Sequence, residues 1–193
     1  NKRQVTGLLV TGTATNPHIF VTSSDSRIGG KLESPKEYID GDLGLDTNSG
    51  MISELIWQDS VWKKIDLVRG LPRSEENHSI NGLTIDETKD VLYVCIGGNT
   101  NAGSPSENFG KITEYALSAC ILKIDLAMLR SMPVKEMNGH KFIYDLPTLD
   151  DPERINLADG SDSNDPFGGN DGLNQAKIIP GGPVQVFAPG YRN

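Results

Sequence analysis

The sequence predicts an all-β protein made of two copies of a four-stranded antiparallel unit. Three observations predict it. Short apolar runs, several alternating with period two, recur between clusters of Gly, Pro, Asn, Asp and Thr, the pattern of strands separated by turns. Helical periodicity is nearly absent. The third observation is a repeat. Thr6-Gly7-Leu8 followed by His18-Ile19-Phe20-Val21 reads like Asn81-Gly82-Leu83 followed by Val91-Leu92-Tyr93-Val94, with Gly7 and Gly82 75 residues apart and Phe20 and Tyr93 73 apart.

In the first copy the strands fall at Val5–Val10, His18–Thr22, Met51–Trp57 and Trp62–Val68, each pair divided by turn residues. In the second copy they fall at Asn81–Ile85, Val91–Ile96, Cys120–Leu126 and Val184–Phe187, with Phe142–Leu146 as one extra strand. A helical turn fits only at Ala127–Arg130, because Pro133 lacks the N–H a helix would need. Four antiparallel strands that bury both faces only against neighbours are the unit of a β-propeller blade. Residues 1–72 then form a first blade and 73–193 a second, interrupted by long loops at 97–117 and 127–183. Two blades cannot close a ring, so a partial propeller is preferred over a sandwich of two sheets. Asn1 in place of Met, and the stop at Arg192-Asn193, fit a piece of a longer protein whose remaining blades are the expected partner.

Composition narrows the function. The 193 residues carry 18 Lys+Arg against 26 Asp+Glu, a net charge of −8, with no basic cluster. Nucleic acid is excluded as the main partner, since phosphate binding needs a positive footprint. No apolar run reaches the ~18 residues of a membrane span. Two cysteines are no disulfide framework; Cys95 and Cys120 are read as buried thiols in preference to a bridge between neighbouring strands.

His78 stands just before the inner strand of the second unit, where a propeller opens onto its axial mouth. An imidazole can act there as general base, because the side chain titrates near neutrality, or it can simply orient a loop. The loop 159–174 is rich in oxygen donors: Asp159, Asp162, Asn164, Asp165, Asn170 and Asp171, beside Gly turns, suit the six to eight oxygens of Ca²⁺ and suit a solvated, turn-rich acidic loop equally. Asp40-Gly41-Asp42 through Asp46-Thr47-Asn48 has similar chemistry but reads as a solvated acidic loop. Trp57 and Trp62 suit packing in the core or between blades more than stacking on a sugar. His18 and His140 read as surface histidines without zinc-ligand spacing. No G-x-S-x-G elbow and no GxGxxG between strand and helix is present.

Asn77-His78, the Gly82-Leu83-Thr84-Ile85 strand, Val91 through Gly97-Gly98 and the terminal Gly190-Tyr191-Arg192-Asn193 together resemble the glucose/sorbosone dehydrogenase family, six-bladed propellers that oxidise aldoses. The segments 97–103, 114–118 and 168–174 resemble its bacterial extracellular, multidomain branch. The resemblance implies that His78 takes the proton from the sugar C1 hydroxyl while hydride passes to pyrroloquinoline quinone (PQQ). It implies that Arg192 and Asn193, with Asn77 beside the base, line the cofactor, that calcium assists, and that the protein is extracellular or periplasmic. Two positions depart from the family pattern: Asn77 replaces an acid before the histidine, and Gly98 replaces the Asp of a terminal Gly-Asp. These departures suit a rival reading, a non-catalytic secreted propeller that binds carbohydrate or another surface ligand with calcium-ordered loops. In the calcium expectation Asp159, Asp162, Asp165 and Asp171 are the metal ligands.

Overall fold

The computed structural model describes residues 3–25, 50–73, 78–100, 102–104, 114, 116–137, 139–146 and 178–191. They are mostly β-strand, in the order β1 (Arg3–Thr13), β2 (Asn16–Asp25), β3 (Gly50–Gln58), β4 (Val61–Leu71), β5 (Ile80–Asp86), β6 (Val91–Ile96), β7 (Cys120–Asp125), α1 (Leu126–Ser131), β8 (Lys135–Met137), β9 (His140–Asp145) and β10 (Val184–Pro189). One sheet has the order β1-β2-β3-β4-β9-β8 and the other β10-β7-β6-β5.

The turns are written locally. Asp59 and Ser60 both have positive φ and form the whole link between Gln58 and Val61, the two-residue hairpin whose twist matches that of its strands. After β5 the Asp86 carboxylate accepts from Thr88 N, Thr88 Oγ1, Lys89 N and Lys89 Nζ, closing the turn on itself. The helical turn α1 starts where Asp125 accepts from Met128 N at 2.8 Å, a side-chain N-cap.

Register shows that the two sheets share a pattern. In the first sheet Leu8, Val21, Ser53 and Asp66 form one cross-strand row; in the second, Leu83, Val94, Leu122 and Val186 do. In both, the first strand bulges at the residues around Gly7 or Gly82, and the fourth bulges one residue past the row, at Leu67 or Phe187. Bulges re-aim a strand and strengthen its twist, so equivalent bulges give the two meanders the same curvature.

The sheets pack by unlike faces. Gly7 and Thr22 of the first sheet lie on Asn81: Thr22 Oγ1 donates to Asn81 O at 2.7 Å, and Thr6 Oγ1 donates to Ile80 O. On that face Phe20 and Ile52 meet Leu92, Val94, Leu122 and Ile124 of the second sheet in one core. Repeat equivalence pairs Phe20 with Tyr93 and Leu8 with Leu83. The first sheet therefore presents one side of the repeat and the second sheet the other. The equivalents left outside are Leu8 and Val10, both exposed, and Phe187, exposed against Tyr93 at 4.8 Å.

Three expectations are corrected. The first sheet has six strands rather than four, because β9 adds parallel to β4 (Val68 opposite Tyr144) and carries β8 with it; three residues of β8 are too short to leave a periodic signal. Cys95 is exposed rather than buried, since Cys95 and Cys120 lie in adjacent rows and so point to opposite sides of the sheet; both are free thiols. Trp57 and Trp62 are not core: they pair edge-to-face at 5.2 Å at an exposed hairpin tip.

Candidate functional site

Antiparallel pairing gathers the start of β5, the end of β6, the start of β7 and the end of β10 at one end of the second sheet, through Ile80, Ile96, Cys120 and Pro189. Main-chain bonds stitch the segments beyond. Gly97 N donates to Ser79 O at 2.9 Å and Ala119 N to Gly97 O at 3.1 Å, while Gly190 N and Tyr191 N both donate to Ala119 O, at 2.9 and 2.8 Å. Ala119 holds this hub at φ +48°, a left-handed conformation that disfavours a residue with a Cβ; its three bonds hold it there.

His78 is buried at this end, its Nδ1 3.0 Å from Gly98 O. A carbonyl oxygen only accepts, so Nδ1 carries the proton and Nε2 keeps its lone pair in the neutral ring. Gly97 is required beneath it, since a Cβ there would stand 2.7 Å from His78 Cβ. At Gly98 a Cβ would lie 2.7 Å from Glu114 Oε1 and 3.3 Å from Ala119 Cβ, so the carboxylate would have to shift from its donors. The Glu114 carboxylate occupies the space beside the Gly98 Cα.

Glu114 accepts four hydrogen bonds. Oε2 takes Asn99 N at 2.9 Å and Ser118 Oγ at 2.7 Å; Oε1 takes Thr100 N at 2.9 Å and Thr100 Oγ1 at 2.6 Å. Burial alone would raise its pKa, but these four donors outweigh it and hold the carboxyl below the ordinary glutamate value. Asn99, Thr100 and Ser118 are themselves buried. Beside this cluster opens a cleft of about 300 Å³ lined by Thr100, Ala102, Gly103, Glu114, Ala119 and the Gly190-Tyr191 segment. Ala102, like Ala119, is left-handed, at φ +54°.

Of the residues singled out in the sequence, His78 lies at this site. Asn77, Arg192 and Asn193 lie outside the described residues, as do Asp159, Asp162, Asp165 and Asp171. Tyr191, next to Arg192, is at the same end of the sheet as His78. Among the described residues no group of three or more His, Cys, Asp or Glu is placed to hold a metal ion, and no helix is long and apolar enough to cross a membrane. Glu114 is the site residue that sequence reasoning leaves without a role. A single Glu in a long loop carries no periodicity, and only its distance from Asn99-Thr100 in space reveals its function.

His18 is half-buried rather than a plain surface residue. Its Nδ1 is 3.1 Å from Glu54 Oε1, and Glu54 is buried. Arg130, from the turn after β7, reaches Glu54 at 3.5 Å and Asp90 at 2.7 Å, joining the two sheets at the end opposite His78.

No family model, no curated protein and no solved structure matches the chain.

Proposed function

We propose that the chain forms two neighbouring blades of a six-bladed propeller of the glucose/sorbosone dehydrogenase type, acting on sugars in an extracellular or periplasmic setting, with His78 as the base that takes a proton from a sugar hydroxyl. One observation carries the reading: His78, with its proton on Nδ1, lies at the same sheet end as the main chain of Gly190-Tyr191, next to Arg192. The propeller part is supported by the packing of unlike faces. Such a contact leaves Leu8 and Val10 of one face and Phe187 of the other exposed, and further sheets of the same kind, the remaining blades of the parent protein, would cover them.

Bound PQQ would supply the electron-accepting quinone. A quinone bearing carboxylates asks for cationic and amide partners. Among the described residues lining the cleft none is cationic, so that task falls to Arg192 and Asn193, with Asn77 beside the base. Calcium, in this reading, is held by Asp159, Asp162, Asp165 and Asp171. His78 receives the proton, Gly98 O orients the ring, and Glu114 walls the cleft.

The rival reading, a non-catalytic carbohydrate-binding propeller, is favoured by Asn77 and by the absence of a positive side chain among the described cleft residues. One experiment separates them. The protein with its full set of blades is loaded with PQQ and Ca²⁺ and assayed for dye reduction across a panel of aldoses. Turnover that His78→Ala abolishes supports the dehydrogenase; sugar binding without turnover and without a quinone absorbance shift overturns it and leaves the binding module.

A further inference from the structure

We propose that Glu114 is the positioning residue of the His78 site, fixing the imidazole in its Nδ1–H form through the backbone of Gly98. The inference rests on the reading of His78 as a base for its consequence, but not for its geometry.

The chain of contacts is short. Glu114 clamps the strand exit after β6 by accepting from two consecutive main-chain N–H groups, Asn99 and Thr100, and from the Thr100 hydroxyl. Ser118, on the far side, donates to the same carboxylate, which ties the exit to the approach of β7. Between clamp and histidine lies one residue, Gly98. Its Cα is pressed so closely by Glu114 that a Cβ would stand 2.7 Å from Oε1, and its carbonyl accepts from His78 Nδ1 at 3.0 Å. The peptide plane after Gly98 contains both the Gly98 carbonyl and the Asn99 N–H. Glu114 holds that plane by accepting from its N–H, and His78 Nδ1 donates to the carbonyl at its other edge.

This arrangement bears on two features of the site. Gly98 is glycine because the carboxylate passes over it. The four donors hold the carboxyl below the ordinary glutamate value, so the clamp is ionised wherever a neutral histidine could act. Glu114 touches no reacting atom in this account; it sets which nitrogen of His78 holds the lone pair.

The test reads the tautomer itself. Long-range ¹H–¹⁵N spectra of the histidine side chains are recorded on the protein above pH 8, with His78 assigned by its loss in His78→Gln. The expected result is a dominant Nδ1–H form for His78. In Glu114→Gln, which keeps the shape but cannot accept from all four donors, the Nδ1–H to Nε2–H ratio falls about fivefold, the equivalent of one ordinary hydrogen bond. Thr100→Ala, which removes one donor, shifts it the same way by less. Leu129→Ala, a buried change in α1 beyond the opposite end of the sheet, leaves the ratio unchanged although it destabilises the fold. An Nε2–H form in the unmodified protein, an unchanged ratio in Glu114→Gln, or an equal change in Leu129→Ala overturns the proposal. Failure of the dye assay with an intact Glu114 effect overturns the dehydrogenase reading alone.

Discussion

Replacing Gly7 by Ala tests the contact between the two copies of the repeat, and Gly82 provides its internal control. The two glycines occupy equivalent bulges of β1 and β5. A Cβ on Gly7 would lie 2.5 Å from Asn81 O, 2.5 Å from Thr22 Oγ1 and 2.9 Å from Leu83 Cδ2. A Cβ on Gly82 meets nothing within 4 Å. Overpacking of this kind costs about 1–3 kcal/mol. Pushing Thr22 aside also weakens its 2.7 Å bond to Asn81 O, worth about 1 kcal/mol. Gly7→Ala should therefore destabilise by about 2–4 kcal/mol, which for a chain of this size lowers Tm by roughly 5–15 °C. Gly82→Ala should stay within about 1 kcal/mol of the parent, with a gain from the less flexible unfolded chain. Urea and thermal unfolding followed by far-ultraviolet circular dichroism measure both. Equal effects of the two substitutions would refute the stacking of β1 on β5.

Other outcomes follow from the same contacts. Arg130→Ala should cost about 1–2 kcal/mol, because the buried Glu54 loses its cationic partner while Asp90 loses its guanidinium; a loss below about 0.3 kcal/mol in urea would reduce the pair to a screened surface contact. A thiol reagent at neutral pH should modify the exposed Cys95 alone, since burial pushes the Cys120 thiol up to about 12 and covers it; two equivalents reacting together in the folded protein would contradict this. Acid should weaken the fold through Glu114 and Asp86, whose folded pKa values lie below their unfolded ones. Lys89 first, then Thr88, brings Asp86 to about 2, so both contributions are present above the ordinary carboxylate range and fade as pH falls through the folded values. An acid titration of stability in which Glu114→Gln and Asp86→Asn match the parent slope would count against these networks. Added Ca²⁺ should bind measurably by calorimetry and should cease to do so when Asp159, Asp162, Asp165 and Asp171 are changed to Asn; unchanged binding would remove the calcium proposal.

Much of the fold is legible because strands and turns announce themselves within a few residues. Asp59-Ser60, the Asp86 turn and the Asp125 cap each act on their nearest neighbours, so sequence alone places β3–β4, β5–β6 and α1. The repeat is legible for a related reason: Gly7 and Gly82 mark equivalent bulges at the same place in both copies. The parallel addition of β9 to β4 is not legible, because it joins residues some 75 apart that share no local pattern. Cys95 shows a similar limit. Period-two alternation tells which residues share a face, but not which face another sheet will cover. At the site His78 is visible as a residue type with obvious chemistry, whereas Glu114 acts only through the space over Gly98 and through four donors scattered over 20 residues of chain.

The proposed site needs residues 190–191 to be held at the His78 end of the second sheet. Native-state amide hydrogen exchange of Ala119, Gly190 and Tyr191 measures this directly, since all three N–H groups are committed to Gly97 O or Ala119 O. Protection of Gly190 and Tyr191 together with Ala119, lost in step when β7 is destabilised by Leu122→Ala, is the predicted result. Exchange of Gly190 and Tyr191 at the rate of an unstructured chain, with Ala119 still protected, would contradict it.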